Sequence, residues 1–99
     1  IFGAKAISAD EALEIGLVED LSRSDALMET GVQLARAIAA NGPVALRQAK
    51  TAMNHGMDMS MDNALMFERQ CYKDTIPTED RMEGLVAFRE KRKPVYKGK

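Results

Sequence analysis

The residues best suited to hold a ligand lie near the end of the sequence, at Gly84, Ala87, Phe88 and Lys91. On a helix with 3.6 residues per turn these four positions share one face. Glycine and alanine let another group approach the backbone closely. The ring of Phe88 offers a stacking surface, and the ammonium group of Lys91 suits a phosphate. The face predicts either a ligand site or a second packing surface against a neighbouring helix or subunit.

The other residue types that carry chemistry form no recognisable centre. The single histidine, His55, stands near a predicted helix end, where a terminal cation or a solvated side chain is expected. Cys71 belongs to a different predicted helix, so no nucleophile–base motif is present, and these two residues are too few for a metal site. Glu68 falls on the apolar side of its helix, where it could act as an acid or base or pair with Arg81 or Arg92. We expect no catalytic residue and no metal site in this chain.

Helix-start and helix-stop signals divide the chain into five predicted helices, so the predicted fold class is all-α. They cover residues 9–15, 22 or 24 to about 40, 44–54, 60 to about 73, and 78–93. Ser8 and Glu11 fit a capping box, Gly16 fits the left-handed stop of the first helix, and extended backbone is expected at Leu17-Val18. Thr78 fits the cap of the last helix, and Pro94 its end.

Apolar residues recur at helical spacing on every long helix, which predicts buried stripes. The predicted stripes contain Leu27, Met28, Gly31, Leu34, Ala35 and Ile38; Ala45, Leu46, Ala49, Ala52 and Met53; Met61, Ala64, Leu65, Cys71 and Tyr72; and Met82, Leu85 and Val86. One small core cannot bury all of them, so we expect the chain to self-associate.

Composition excludes several classes of protein. The net charge is −1, which gives no global attraction to nucleic acid or to an anionic membrane. A single cysteine permits no internal disulfide and indicates a reducing compartment. No run approaches the roughly 20 apolar residues of a membrane span. The sequence opens without methionine, so we expect that it is part of a longer polypeptide.

Three stretches occur in an order and spacing typical of one family. The first two are ISADEALEIGLV at residues 7–18 and NGPVALRQAK at residues 41–50. The third lies within residues 79–94 and contains Glu79-Asp80, Glu83-Gly84, Ala87-Phe88 and the run EKRKP at residues 90–94. Together they resemble the C-terminal portion of the crotonase superfamily, the enoyl-CoA hydratases and isomerases. The segment CYKDTIPT at residues 71–78 is most similar to the methylglutaconyl-CoA hydratase branch.

The resemblance implies that residues 1–99 are the helical C-terminal part of a crotonase fold. In such enzymes an N-terminal domain of β-β-α turns carries the catalytic glutamates and the oxyanion hole, and the C-terminal helices build a trimer or a dimer of trimers. Water adds across the double bond of a 2-enoyl-CoA, with the acyl-CoA as substrate and no separate cofactor. The positions matching Phe88 and Lys91 help to complete the CoA site, commonly that of a neighbouring subunit.

The resemblance also sets the expected partners and location. The partners are acyl-CoA, the chain's own N-terminal domain and further copies of itself, with neither membrane nor nucleic acid among them. The location would be the cytoplasm for a bacterial protein and the mitochondrial matrix for a eukaryotic one, and the 99 residues alone would be inactive. Two other interpretations remain: a stand-alone helical interaction module, and a small nucleic-acid binder that uses the basic tail at residues 91–99.

Overall fold

The computed structural model describes residues 3–99, and this part of the chain is helical and contains no strand. The helices are α1 (Ala9–Glu14), α2 (Leu27–Ala39), α3 (Pro43–Gly56), α4 (Met61–Thr75) and α5 (Glu79–Glu90). The all-α prediction is confirmed, and each predicted helix is found within a few residues of its expected bounds. Within residues 3–99, the helices are too short or too polar to cross a bilayer.

The start and the end of α1 are set by the predicted residues. The Ser8 hydroxyl accepts from the Glu11 N–H at 3.1 Å, and the Glu11 carboxylate accepts from the Ser8 N–H at 3.1 Å, which completes the capping box. Gly16 is left-handed, with φ +71°. The Leu17 N–H then donates to the Ala12 carbonyl at 2.8 Å. The expectation of extended backbone at Leu17-Val18 is therefore wrong, because this hydrogen bond folds the chain back on the helix end.

Helix α2 begins at Leu27, later than a cap at Ser22 or Ser24 would place it. Residues 24–26 form a turn instead. The carbonyl of Ala26 accepts from the Thr30 N–H at 2.9 Å, and this is the bond that starts the first helical turn. The predicted serine cap is wrong because the chain still turns at those residues.

The chain divides into two compact units, one up to Ala35 and the other Arg36–Lys99. In the first unit, Ala12 is the buried apolar residue. In the second, α3 packs side by side with α4. The two helices approach closely where a β-carbon placed on Gly56 would lie 3.6 Å from the Cβ of Ala64.

Most of the predicted apolar stripes are not buried within this chain. Helices α2 and α3 contain no buried residue, and α4 buries Cys71 alone. The accessible surface is 8680 Å², whereas a folded monomer of this mass exposes about 5,600 Å². The predicted stripes exist as apolar faces, and the described residues leave most of them exposed.

Candidate functional site

Helix α5 begins as the sequence predicts. The Thr78 hydroxyl accepts from the Arg81 N–H at 3.1 Å and donates to the Thr75 carbonyl at 2.7 Å. One side chain thereby satisfies an N–H of the first helical turn and joins α5 to the end of α4.

The end of α5 differs from the prediction. The helix stops at Glu90, and Lys91 takes the left-handed conformation with φ 54° and ψ 35°. The Lys91 N–H donates to the Phe88 carbonyl at 3.2 Å, and the Arg92 N–H donates to the Ala87 carbonyl at 3.0 Å. These are the two bonds of a Schellman motif, which usually places glycine at the left-handed position. A lysine there costs about 1–2 kcal/mol, so something beyond the local sequence must hold the turn.

An ion pair holds the residues that follow this turn. The Arg92 guanidinium donates to both oxygens of Glu83, at 2.6 and 2.9 Å, and its Nε donates to Glu90 at 2.7 Å. The Val95 N–H donates to the same Glu83 carboxylate at 2.8 Å. The hydrogen bonds from Arg92, and then that from Val95, lower the pKa of Glu83 from its ordinary 4.5 to about 2. The hydrogen bonds that Arg92 donates to Glu83 and Glu90 raise the pKa of Arg92 above its usual range.

A second carboxylate holds the last residues of the chain. Asp80 is 6% exposed, and its two oxygens accept from the Lys97 N–H at 2.6 Å and the Gly98 N–H at 2.8 Å. The Asp80 N–H in turn donates to the Lys99 carbonyl at 3.1 Å. Asp80 and Glu83 lie three residues apart on the same helix face. Together they fasten residues 92–99, called here the tail, along α5.

The tail occupies part of the face that the sequence singled out. A β-carbon placed on Gly84 would lie 3.2 Å from the Tyr96 hydroxyl oxygen, so the absence of a side chain there admits the tyrosine. Ala87 is 1% exposed, whereas Phe88 is 87% exposed and Lys91 is also exposed. The face is thus divided: its small residues pack inside the chain, and its aromatic and cationic residues face outward.

The other predicted features of α5 and of the acids need correction. Met82 and Leu85, expected in a core stripe, are 54% and 53% exposed, because the tail packs elsewhere on the helix. Glu68 is exposed and pairs with neither suggested arginine, since Arg92 is taken by Glu83 and Glu90. The buried acid is Asp80, which the sequence did not single out as a candidate.

An apolar groove of about 580 Å³ runs between α3 and α4. Its lining includes Met53, Met57, Met61 and Leu65, with Glu68 at its edge. The ring of His55, on α3, meets that of Phe67, on α4, edge-on at 5.5 Å. In residues 3–99 the His, Cys, Asp and Glu side chains form no cluster of three that could hold a metal ion. The groove therefore offers an apolar packing surface.

The outward-facing pair Phe88 and Lys91 is the arrangement best suited to a ligand. Among residues 3–99, Lys91 makes no ion pair. An exposed ring and an exposed ammonium group three residues apart can take an aromatic or apolar group together with an anion. The sequence identified this pair but missed the carboxylates, Asp80 and Glu83, that fix the backbone around it. Gly84, inside α5, indicated a close contact in the sequence. It did not indicate that Tyr96 is the residue that makes this contact.

Comparison with known proteins gives consistent matches over the whole chain. Residues 1–99 match the model of the enoyl-CoA hydratase/isomerase family. A Bacillus subtilis protein whose name places it among the enoyl-CoA hydratases/isomerases is 50% identical over 98 residues, which are 99% of this chain and 38% of that protein. Human mitochondrial methylglutaconyl-CoA hydratase is 45% identical over 102 residues, covering 99% of this chain and 30% of the human protein.

The solved structures agree with the sequence matches. The crystal structure of enoyl-CoA hydratase from Bacillus anthracis matches with a TM-score of 0.96 and 45% identity. The match covers 100% of this chain and 38% of that one. The chain therefore spans 30–38% of the length of these relatives, as expected for a helical segment of their fold.

Proposed function

The chain belongs to the enoyl-CoA hydratase/isomerase family, and on that premise we propose that it is the helical C-terminal part of an enoyl-CoA hydratase. In this proposal the catalytic acids and the oxyanion hole belong to an N-terminal domain outside these 99 residues. The chain contributes subunit contacts and part of the CoA pocket, and by itself it is inactive. The observation that carries the proposal is a family match over the entire chain that accounts for only 30–38% of the relatives' length.

The exposed apolar surface supports a role in assembly. The accessible surface exceeds that of a monomer of this mass by roughly 3,000 Å². Large side chains such as Met28, Leu34, Met57 and Met61 are 62–87% exposed. Large apolar side chains exposed to this extent are typical of residues that an interface covers. We propose that it is covered by the N-terminal domain and by other subunits of a trimer or hexamer.

The outward-facing pair at the end of α5 supports the contact with CoA. Lys91 can place its ammonium group against a CoA phosphate, while Phe88 packs against the pantetheine, the acyl chain or the adenine. The alternative for the same pair is that Phe88 fills a subunit interface and Lys91 is solvated. No separate cofactor is proposed, because the CoA thioester is itself the substrate.

The proposed reaction is the addition of water across the double bond of a 2-enoyl-CoA, with methylglutaconyl-CoA as the candidate substrate. The identity to human methylglutaconyl-CoA hydratase over nearly the whole chain supports this choice. Oxyanion-hole donors would stabilise the enolate, and carboxylates would transfer the proton. The location would be the cytoplasm for a bacterial protein and the mitochondrial matrix for a eukaryotic one.

The test compares wild-type full-length enzyme with Lys91→Ala, using methylglutaconyl-CoA and crotonyl-CoA as substrates. A contact remote from the reacting atoms gives mostly uniform binding, so we expect KM to rise with little change in kcat. A partly exposed charge-assisted bond predicts a loss of about 1–2 kcal/mol, and the loss should shrink at high salt. An unchanged KM at low salt would show that Lys91 does not bind CoA. Full-length protein without hydratase activity would favour the alternative of a helical interaction module.

A further inference from the structure

The turn at Lys91 is held by side chains whose roles the family match does not assign. Lys91 has a positive φ, 54°, and is neither a glycine nor an asparagine or aspartate, the residue types that favour this conformation. A residue in such a conformation persists only where its surroundings fix it. What fixes Lys91 therefore also fixes where its ammonium group can reach.

The surroundings that fix the turn converge on one carboxylate. Glu83 lies two helical turns before Lys91. Its carboxylate accepts hydrogen bonds from both Nη atoms of Arg92, which directly follows Lys91. The same carboxylate accepts from the Val95 N–H at 2.8 Å, and the Arg92 Nη1 also donates to the Lys93 carbonyl at 3.2 Å. One acid thus anchors the first four residues beyond the turn.

The direction of the chain at this point decides whether Phe88 and Lys91 can act together. The two are i and i+3, but Lys91 lies at the turn, outside the regular helix. If the tail came away from α5, the last turn would fray and Lys91 would sample many positions relative to Phe88. The ion pair removes that freedom before any ligand arrives.

We propose that Glu83 and Arg92 are positioning residues for acyl-CoA binding, because their bidentate pair holds the left-handed turn in which Lys91 follows the helical residue Phe88. This inference rests on the proposed contact between Lys91 and CoA. Glu83 and Arg92 act through Lys91 and do not themselves touch the substrate.

The test is a double-mutant cycle in the full-length enzyme between Glu83→Gln and Lys91→Ala, read as KM and kcat for crotonyl-CoA. Glu83→Gln keeps the shape of the side chain but removes the charge that binds Arg92. We expect it to raise KM about 3–10-fold with kcat unchanged when Lys91 is present, and by less than about 1.5-fold in the Lys91→Ala background. Arg92→Lys keeps the positive charge and breaks the bidentate geometry, so it replaces Glu83→Gln if that variant does not fold.

Two controls separate positioning from general destabilisation. Glu79→Gln makes the same change of charge at the far end of α5, where Glu79 pairs with Lys99 at 3.2 Å, and should leave KM unchanged. Crotonyl-pantetheine lacks the nucleotide phosphates, so Glu83→Gln should have no effect on its KM. A merely structural role would affect both substrates alike.

The possible outcomes distinguish this inference from the proposed function. If Lys91→Ala raises KM but Glu83→Gln has no effect, or has the same effect in both backgrounds, the positioning role is overturned and the CoA contact stands. If Lys91→Ala leaves KM unchanged, the CoA contact is overturned and the positioning role falls with it. An effect of Glu83→Gln that appears only with Lys91 and only with crotonyl-CoA supports both.

Discussion

Removing the buried carboxylate of Asp80 should release the end of the tail from α5. The side chain is 6% exposed and accepts from the N–H groups of Lys97 and Gly98 at 2.6 and 2.8 Å. A hydrogen bond to a charged group contributes about 1.5–3 kcal/mol. Because Lys97 is exposed and its N–H can turn to water, we take the lower end of that range for each bond. Asp80→Ala should then weaken tail docking by about 3 kcal/mol.

Asp80→Asn should have a smaller effect in the same direction. The amide keeps one acceptor oxygen but turns its NH₂ group toward the second backbone N–H, so one bond is lost and two donors oppose each other. We expect a loss of about 2 kcal/mol.

The assay is amide hydrogen exchange of the full-length enzyme, followed by mass spectrometry in a peptide covering residues 92–99. Each 1.4 kcal/mol is tenfold in the opening equilibrium, so exchange should accelerate roughly a hundredfold in Asp80→Ala and roughly thirtyfold in Asp80→Asn. Glu79→Ala is the matched control, since it also removes an acid from the first turn of α5. Glu79 pairs with Lys99, and their side chains are 67% and 62% exposed, so the expected acceleration of exchange is at most about twofold.

Two results would refute this reasoning. One is tail exchange in Asp80→Ala within about threefold of the wild-type rate, which would mean that the two bonds do not hold the tail. The other is equal acceleration in α5 and in the tail, which would mean that Asp80 stabilises the helix start and not the docked segment.

Two further predictions concern the same face of α5. Gly84→Ala should gain little stability, because its methyl group would lie 3.2 Å from the Tyr96 hydroxyl oxygen. The double variant Gly84→Ala/Tyr96→Phe should recover the helix-propensity gain of about 1 kcal/mol in thermal denaturation, and a full gain in the single variant would contradict the contact. The second prediction concerns acid. Because the pKa of Glu83 is lowered from 4.5 to about 2, the stabilisation of the docked tail by the Glu83 carboxylate is complete above pH 4.5 and is lost as the pH falls to about 2. Amide hydrogen exchange at Val95, corrected for the intrinsic rate, should therefore accelerate in wild type as the pH falls from 4.5 to about 2. The corrected rate should stay level in Glu83→Gln.

Much of the helical architecture follows from local signals in the sequence. The capping box at Ser8, the left-handed Gly16, the proline that opens α3 and the cap at Thr78 all act within one helical turn. Such interactions involve residues close in sequence, so composition and spacing predict them. The family resemblance is equally a property of the sequence, and it is confirmed over residues 1–99.

The tertiary structure decided which faces are buried and where the last helix stops. Periodicity identified apolar stripes, but it does not say what covers them, and within this chain Met82 and Leu85 remain exposed. The end of α5 depends on a pair nine residues apart, Glu83 with Arg92, and the buried state of Asp80 depends on backbone groups 17 and 18 residues away. Residues so far apart in sequence meet only when the tail folds back along α5. Gly84 leaves room for Tyr96 in this arrangement. The types of the side chains determine what each can bind. The tail, by folding back along α5, determines which of those side chains stay exposed and able to bind a ligand.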